Sequence, residues 1–344
     1  MSKEPVRVGL LGAGFISDYH ISGLQQAGAE VVSIFSRTEA NAQAKANQFG
    51  IPHYTAAYAD VLAREDVEAV VITTPDFTHE TLSIATAQAG KAILLQKPMA
   101  RNSQECLNII KAAENNNVPL YVSFMHRYLI EIEKIRELLA ADALGQVHTI
   151  RQRNATPGAD WEDWFFSKEK VGGGVVLQLG VHGIDLLRYI FGEIESVKAT
   201  TALMKKTRKL ADGSIVEPDN EDTALAIYRF ASGVTATQEM SFNELSGTDR
   251  FRMEIYGEDG VAWLRTERGR LAMVAPEHWG IDGWIEPKLP APNFAYRQHH
   301  HFLAMLRGEE APDTSARDGL ATLLVSEAIY RSAESNDWEE VHQL

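Results

Sequence analysis

The chain has 344 residues, more than one hydrophobic core ordinarily supports, so two domains are expected. Its hydrophobic share of 45% and charged share of 23% are those of a globular protein, and a formal net charge of −14 repels phosphate backbones, which argues against a nucleic-acid partner. The one cysteine, Cys106, excludes an intrachain disulfide, fits a cytoplasmic setting and is expected to pack on a helix. The N-terminal MSKEPVRVGLLGAG lacks signal-peptide anatomy and no run approaches the ~18 apolar residues of a membrane span, so no membrane partner is expected.

Residues 6–11 form a short apolar run after a charged lead, the pattern of a buried parallel strand. A glycine turn follows, then a helix over 15–26 and a strand over 30–35 (EVVSIF). The stretch 38–49 is rich in Ala, Gln and Lys and is closed by Gly50, as a helix would be. A strand at 69–73 (AVVIT), a helix over 78–89 stopped by Gly90 and a strand at 92–95 come next. Asn102 or Ser103 caps a helix to about residue 116, and 120–123 is a last strand. This alternation predicts an α/β fold with a doubly wound parallel sheet, a Rossmann dinucleotide-binding domain over 1–124.

The remainder, 125–344, changes character. Strands are expected at 145–154, 196–203, 223–230, 234–242, 251–256 and 261–266, several joined by short turns, with helices at 177–191, 296–307 and 317–335. Strands in succession favour a mostly antiparallel sheet, so this domain is expected to be α+β, binding substrate and carrying oligomerisation.

Gly12-Ala13-Gly14-Phe15-Ile16-Ser17 leaves the first strand and opens the first helix. Gly12 permits the tight turn, Gly14 lets the backbone approach a pyrophosphate, and the helix N-terminus at Phe15 and Ile16 offers unpaired N–H groups and a positive dipole. Ser17 stands where the fingerprint has Gly or Ala. The second strand runs into Ser36 and Arg37 instead of the acidic residue that binds a ribose 2′-hydroxyl; a hydroxyl and a guanidinium suit a 2′-phosphate, so NADP(H) is the expected cofactor with NAD(H) possible. A solvated surface arginine is the plainer reading of Arg37. Thr74, Pro75 and His79 leave the next strand at its C-terminal end, the side of the ligand crevice in such sheets. A simple helix entry capped by Asp76 or Thr78 accounts for the same residues without a ligand.

Gln96-Lys97-Pro98 ends the strand after that, at the same crevice. A lysine there can donate to a hydroxyl or carbonyl oxygen and stabilise developing negative charge, and Pro98 is a candidate for a cis peptide bond. Further on, Gly172-Gly173-Gly174 precedes an amphipathic helix on which Gln178, His182 and Asp185 share a face by their i, i+4, i+7 spacing. A histidine among leucines and valines is more often structural; the glycine loop and Gln178 are what make a site of it.

Taken together, GLLGAGFIS, VVITTPDFTHE, AGKAILLQKPMA, GGGVVLQLGVHGIDLLRYIFGE and HHHFLAMLRGEEAPDTSARDGLATLLVSEAIYRSA resemble the Gfo/Idh/MocA oxidoreductases in order along nearly the whole chain. The resemblance implies a Rossmann domain followed by a domain with a large open sheet, through which members pair into homodimers or homotetramers. It makes Lys97 the active-site lysine of the E-K-P motif, with Gln96 in place of Glu, and His182 the histidine of D-x-x-x-H, with Gln178 in place of Asp. Gln178 can hydrogen-bond a substrate but supplies neither charge nor a proton-accepting carboxylate.

Arg127, Trp161, Trp164 and Tyr296 are further candidates for a pocket wall, each also readable as packing. The run His299-His300-His301 is assigned no metal, because adjacent helical residues point apart. The expected chemistry is hydride transfer between a nicotinamide and a secondary hydroxyl or carbonyl of a polyol or sugar-like substrate, with His182 and Lys97 catalytic and Gln178, Asp185, Arg127 and Trp164 binding substrate. A redox-neutral NAD-dependent glycosidase and a non-catalytic NADP-sensing regulator are the alternatives on the same fold.

Overall fold

The structure, a computed structural model, describes residues 4–244, 250–265, 270–311 and 314–342. Its strands in chain order are β1 Arg7–Leu11, β2 Glu30–Phe35, β3 His53–Thr55, β4 Ala69–Ile72, β5 Ala92–Gln96, β6 Leu120–Ser123, β7 Val147–Ala155, β8 Ile194–Ala202, β9 Arg208–Lys209, β10 Ile215–Val216, β11 Thr223–Phe230, β12 Thr235–Ser241, β13 Phe251–Gly257, β14 Val261–Arg265, β15 Leu271–Val274 and β16 Glu339–Glu340. The helices are α1 Phe15–Gln26, α2 Glu39–Phe49, α3 Tyr58–Leu62, α4 His79–Gln88, α5 Ser103–Asn115, α6 Ile130–Ala140, α7 Lys168–Val171, α8 Val181–Phe191, α9 Pro276–Trp279, α10 Phe294–Leu306 and α11 Ala316–Ser335.

The chain divides into two compact units, one of residues 1–128 with 293–320, the other of 129–292 with 321–344. The first holds a parallel sheet in the order β3-β2-β1-β4-β5-β6, the doubly wound arrangement whose switch point lies between β1 and β4. Its strands are near-continuous apolar runs because helices cover both faces; Val8, Leu10, Ile34, Val71 and Leu94 are all buried. Cys106 is buried on α5, as a packing residue would be.

The expected division at residue 124 needs a correction. The segment 293–320 belongs to the first unit, because α10 buries Phe302, Leu303 and Met305 in the same core as Ile21 and Leu24 of α1. Chain order does not reveal this return.

The second unit holds a sheet in the order β15-β14-β13-β7-β12-β11-β8-β16, antiparallel except where β12 runs parallel to β7. Strict alternation in β11 buries Ala224, Ala226, Tyr228 and Phe230 and leaves Leu225 and Ile227 exposed. The buried face packs on Ile184 and Leu187 of α8 and on Val325, Ala328 and Ile329 of α11. The expected strand 261–266 is found as Val261–Arg265; Thr266 lies outside the described residues.

The helical run Lys168–Phe191 is long and apolar enough to cross a membrane by length and composition, although polar residues interrupt it and it contains no continuous apolar run of the length of a span. In the structure 78% of its most apolar window is buried inside the protein, the position of a core helix. Nor is the run regular, since a π turn at Val176–Gly180 precedes α8.

Candidate functional site

In the first unit, Gly12 closes the turn after β1 with φ +118°, and its N–H donates to the Phe35 carbonyl at 2.9 Å. A Cβ there would meet the Thr73 hydroxyl and backbone at 2.6 to 2.8 Å, so glycine is required both by conformation and by space. Gly14 is the N-cap of α1 and makes no side-chain cap; the space a side chain would occupy is open. The N–H groups at Phe15 and Ile16 therefore head the helix where an anionic group can approach. Ser17 is buried with its hydroxyl on the Gly14 carbonyl at 2.5 Å, and so packs where a smaller residue is usual. Ser36 and Arg37 follow β2; the Ser36 N–H is bound to the Thr55 carbonyl at 3.2 Å, and Arg37 is exposed.

The ends of β4 and β5 are fastened together by His79. Its Nδ1 lies 3.0 Å from the Pro98 carbonyl and its Nε2 2.9 Å from the Thr74 carbonyl, with the ring buried. The Lys97–Pro98 peptide is cis. Thr74 shares a hydrogen bond with Thr78 at 2.7 Å beside Pro75. His79 thus acts on the Thr74-Pro75 and Lys97-Pro98 loops through their backbone. Lys97 follows β5 with its side chain half-buried. Burial pulls its ammonium down to about 8, against the nearby Asp76 carboxylate, which raises it. A lysine in that range exists in both protonation states near neutral pH, which suits proton transfer to and from an oxygen.

In the second unit, Gln178 stands on the π turn and His182 and Asp185 on α8, all buried. The regular helix expected over 177–191 is therefore interrupted at its start. The wider turn changes the angle of Gln178 relative to the face carrying His182, so an unbroken α-helical i, i+4 relation does not describe that pair. The turn is held from the sheet: Gln238 Nε2 donates to the Gly180 carbonyl at 2.9 Å and to Asn154 Oδ1 at 3.1 Å, while Tyr228 donates to Gln238 Oε1 at 2.6 Å. It is held from the loop by Glu221, whose carboxylate accepts the N–H groups of Gly174 and Val176 at 2.8 and 3.1 Å. The glycine run has a steric cause here, because a Cβ on Gly174 would run into the Glu221 backbone.

Two domain models match this chain: an oxidoreductase family with an NAD-binding Rossmann fold over residues 6–124, and the GFO/IDH/MocA C-terminal domain over residues 132–263. The protein belongs to the Gfo/Idh/MocA oxidoreductase family. Inositol 2-dehydrogenase of Rhizobium meliloti (strain 1021) is 29% identical over 337 residues, covering 95% of this chain and 96% of that protein. Levoglucosan dehydrogenase of Pseudarthrobacter phenanthrenivorans is 25% identical over 397 residues, covering 99% of each. A solved structure of levoglucosan dehydrogenase in complex with NADH and levoglucosan has the same fold, with TM-score 0.90, 24% identity and coverage of 98% of this chain and 100% of that one.

Among the other residues expected to line a pocket, Arg127 is buried in the first unit, paired with Asp318 at 3.2 Å and lying over the Phe124 ring at 5.6 Å. Trp164 packs against the second unit's core beside Phe165, whereas Trp161 is 44% exposed. Tyr296 is on α10, tilted against His300 at 5.4 Å. Sequence reasoning missed Asp76 as the carboxylate that influences Lys97, Glu221 as the holder of the glycine loop, and a buried pairing of His20 with His299 at 2.9 Å. Asp76 was legible in TTPDFTH only as a helix cap. The histidine pair left no local signal, since its members lie 279 residues apart.

Proposed function

We propose that this oxidoreductase catalyses reversible hydride transfer at a secondary hydroxyl or carbonyl carbon of a polyol or sugar-like substrate. The observation that carries the reading is Lys97, a lysine pulled down to about 8 at the C-terminal end of a doubly wound sheet. The dehydrogenases of inositol and levoglucosan among its relatives support the substrate class.

The uncapped α1 N-terminus and the close approach at Gly12 fit a dinucleotide pyrophosphate. A bound nicotinamide supplies the hydride acceptor for oxidation or the hydride for reduction. Gly12, Gly14, Phe15 and Ile16 hold the pyrophosphate, Thr74 and Pro75 line the ribose side, and Ser36 and Arg37 favour NADP(H) over NAD(H). Lys97 donates to the substrate oxygen and stabilises its alkoxide character. His182 accepts the hydroxyl proton in oxidation and returns it in reduction, while Gln178 and Asp185 bind further hydroxyls.

In this reading the Rossmann part is the cofactor domain and the remainder binds substrate. The exposed face of the second sheet, with Leu225 and Ile227 amid the Arg151–Glu254 and Arg153–Glu239 pairs, joins copies into a homodimer or homotetramer. The mass of the protein in solution, with and without Ile227→Arg, tests that assembly. A cytoplasmic location is part of the same proposal, checked by cell fractionation.

The decisive experiment incubates the purified protein with NADP+ or NAD+ and a panel of polyols and sugars, following nicotinamide absorbance. Turnover that Lys97→Ala abolishes, with cofactor binding retained, supports the reading. Cofactor binding without turnover on any polyol or sugar sinks it and returns the regulator.

A further inference from the structure

Two hydrogen-bonded chains in the first unit, with His20, His299, Gln298, Gln96 and Ser123 buried, run from α1 and α10 to the carboxyl ends of β5 and β6. In one, His299 Nδ1 meets the Ala295 carbonyl at 2.6 Å, His299 Nε2 meets His20 Nδ1 at 2.9 Å, and His20 Nε2 meets Gln96 Nε2 at a long 3.4 Å. Gln96 Oε1 in turn accepts the Lys97 N–H at 2.8 Å. In the other, Tyr19 donates to Gln298 Oε1 at 2.5 Å and Gln298 Nε2 donates to Ser123 Oγ at 2.9 Å. Gln96 and Ser123 face each other across the β5–β6 ladder. Both chains therefore end on one rung, immediately before Lys97.

The direction of every bond in the first chain is fixed from its two ends. The Ala295 carbonyl only accepts, so His299 carries its proton on Nδ1 and its Nε2 is an acceptor. His20 then donates from Nδ1, and its own Nε2 is an acceptor. At the far end the Lys97 N–H only donates, so the Gln96 atom facing it is the carbonyl oxygen and the NH2 group faces His20. Both rings stay neutral: burial pulls His299 down to about 4, and burial with repulsion from His299 holds His20 well below the usual histidine range. The titratable groups around them are Tyr19 on α1, whose phenol burial raises, Asp18 on α1, which is bound to Lys45 of α2, and Lys97 with Asp76 beyond Gln96.

We propose that Gln96 is a positioning residue for Lys97, oriented by the relay of His299 and His20, and that this relay specifies an amide instead of a carboxylate at position 96. A glutamate there would set an oxygen against the His20 Nε2 lone pair, and only a proton between them removes the repulsion. This gives a physical reason for Gln96-Lys97-Pro98 where the resembled motif reads E-K-P. The inference rests on the catalytic reading of Lys97.

In Gln96→Glu the paired His20 and carboxyl take up one proton in the folded state at a raised pKa. The resulting stabilisation is present at low pH and lost as pH rises through that value. Relative to wild type, the Tm deficit of Gln96→Glu is expected to be within about 2 °C near about pH 5.5 and to widen to about 4–8 °C near about pH 8.5. Over the same range its kcat deficit is expected to grow about tenfold while cofactor Kd stays within about twofold, because the displaced group is the one before Lys97. In wild type, imidazole 15N spectra are expected to show Nδ1–H tautomers for both His20 and His299.

An Nε2–H tautomer at either ring overturns the relay, including in the case where the variant does not fold. A pH-independent deficit, or a kcat that ignores the Tm change, overturns the positioning role. Full activity in Lys97→Ala would instead sink the catalytic reading, and leaves the tautomer and Tm results to judge the relay alone.

Discussion

Tyr330 on α11 donates its phenolic proton to Glu221 Oε1 at 2.9 Å, and that same half-buried carboxylate holds the N–H groups of Gly174 and Val176. A helix that begins inside a protein must find partners for its first amides, and this one finds them in a distant loop rather than in a local Ser or Asp cap. Burial raises the Glu221 carboxyl above its ordinary value, although each of these hydrogen bonds pulls the other way. The turn that carries Gln178 therefore depends on a cluster formed by three separate stretches of chain.

Removing the phenol from that cluster leaves the carboxylate one donor short. Tyr330→Phe is expected to lose about 1 kcal/mol and about 2–4 °C in Tm. Glu221→Ala orphans two buried N–H groups and is expected to lose roughly 2–4 kcal/mol, with kcat falling more than cofactor affinity. Thermal melts and cofactor titrations check both variants; a Tm unchanged in Glu221→Ala removes the cluster from any structural role.

If Lys97 acts as a cation on the substrate oxygen, as proposed, activity should fall as pH rises through the range near about 8 to which burial lowers its ammonium. The Asp76 carboxylate raises that value, so Asp76→Asn should move the alkaline limb of kcat/KM to lower pH. A limb that stays in place or moves upward shows that a different group is titrating.

Arg37 is exposed after β2, and the proposed NADP(H) preference has it meet a 2′-phosphate. A charge-assisted contact of this kind is worth ~1.5–3 kcal/mol, so Arg37→Ala should weaken NADP(H) roughly tenfold or more and NAD(H) little. Titration of both cofactors decides this, and equal losses for the two would end the 2′-phosphate assignment.

Gln178→Asp brings a carboxylate toward His182, and an opposite charge within ~4–6 Å favours the imidazolium. The acidic limb of kcat/KM for oxidation should then lie at higher pH than in the wild-type protein, and His182→Ala should abolish it with strongly slowed turnover. Because Gln178 stands on a π turn, a null shift in Gln178→Asp with a lost limb in His182→Ala would mean that the two side chains do not face each other.

The elements that the sequence located best are those whose signal is local. The helix expected at 15–26 and the strands expected at 30–35 and 223–230 coincide with Phe15–Gln26, Glu30–Phe35 and Thr223–Phe230. His53–Thr55 and Leu271–Val274 were not read, since strands of three or four residues carry too little periodicity. Ile130–Ala140 was missed although it is amphipathic, lying where one pattern gives way to the other.

The parallel-then-antiparallel succession of sheets and the glycine turn before α1 are legible in the residues alone, and Lys97 and His182 stand out as candidates there, because periodicity, turn chemistry and short motifs act over a few residues. The return of 293–320 to the first unit, the meeting of His20 with His299, and the hold of Glu221 and Gln238 on the turn carrying Gln178 emerge only in the folded chain. Those contacts join residues tens to hundreds of positions apart. They form because buried donors and acceptors must be satisfied wherever the folded chain brings them together, a constraint that leaves no mark on neighbouring residues.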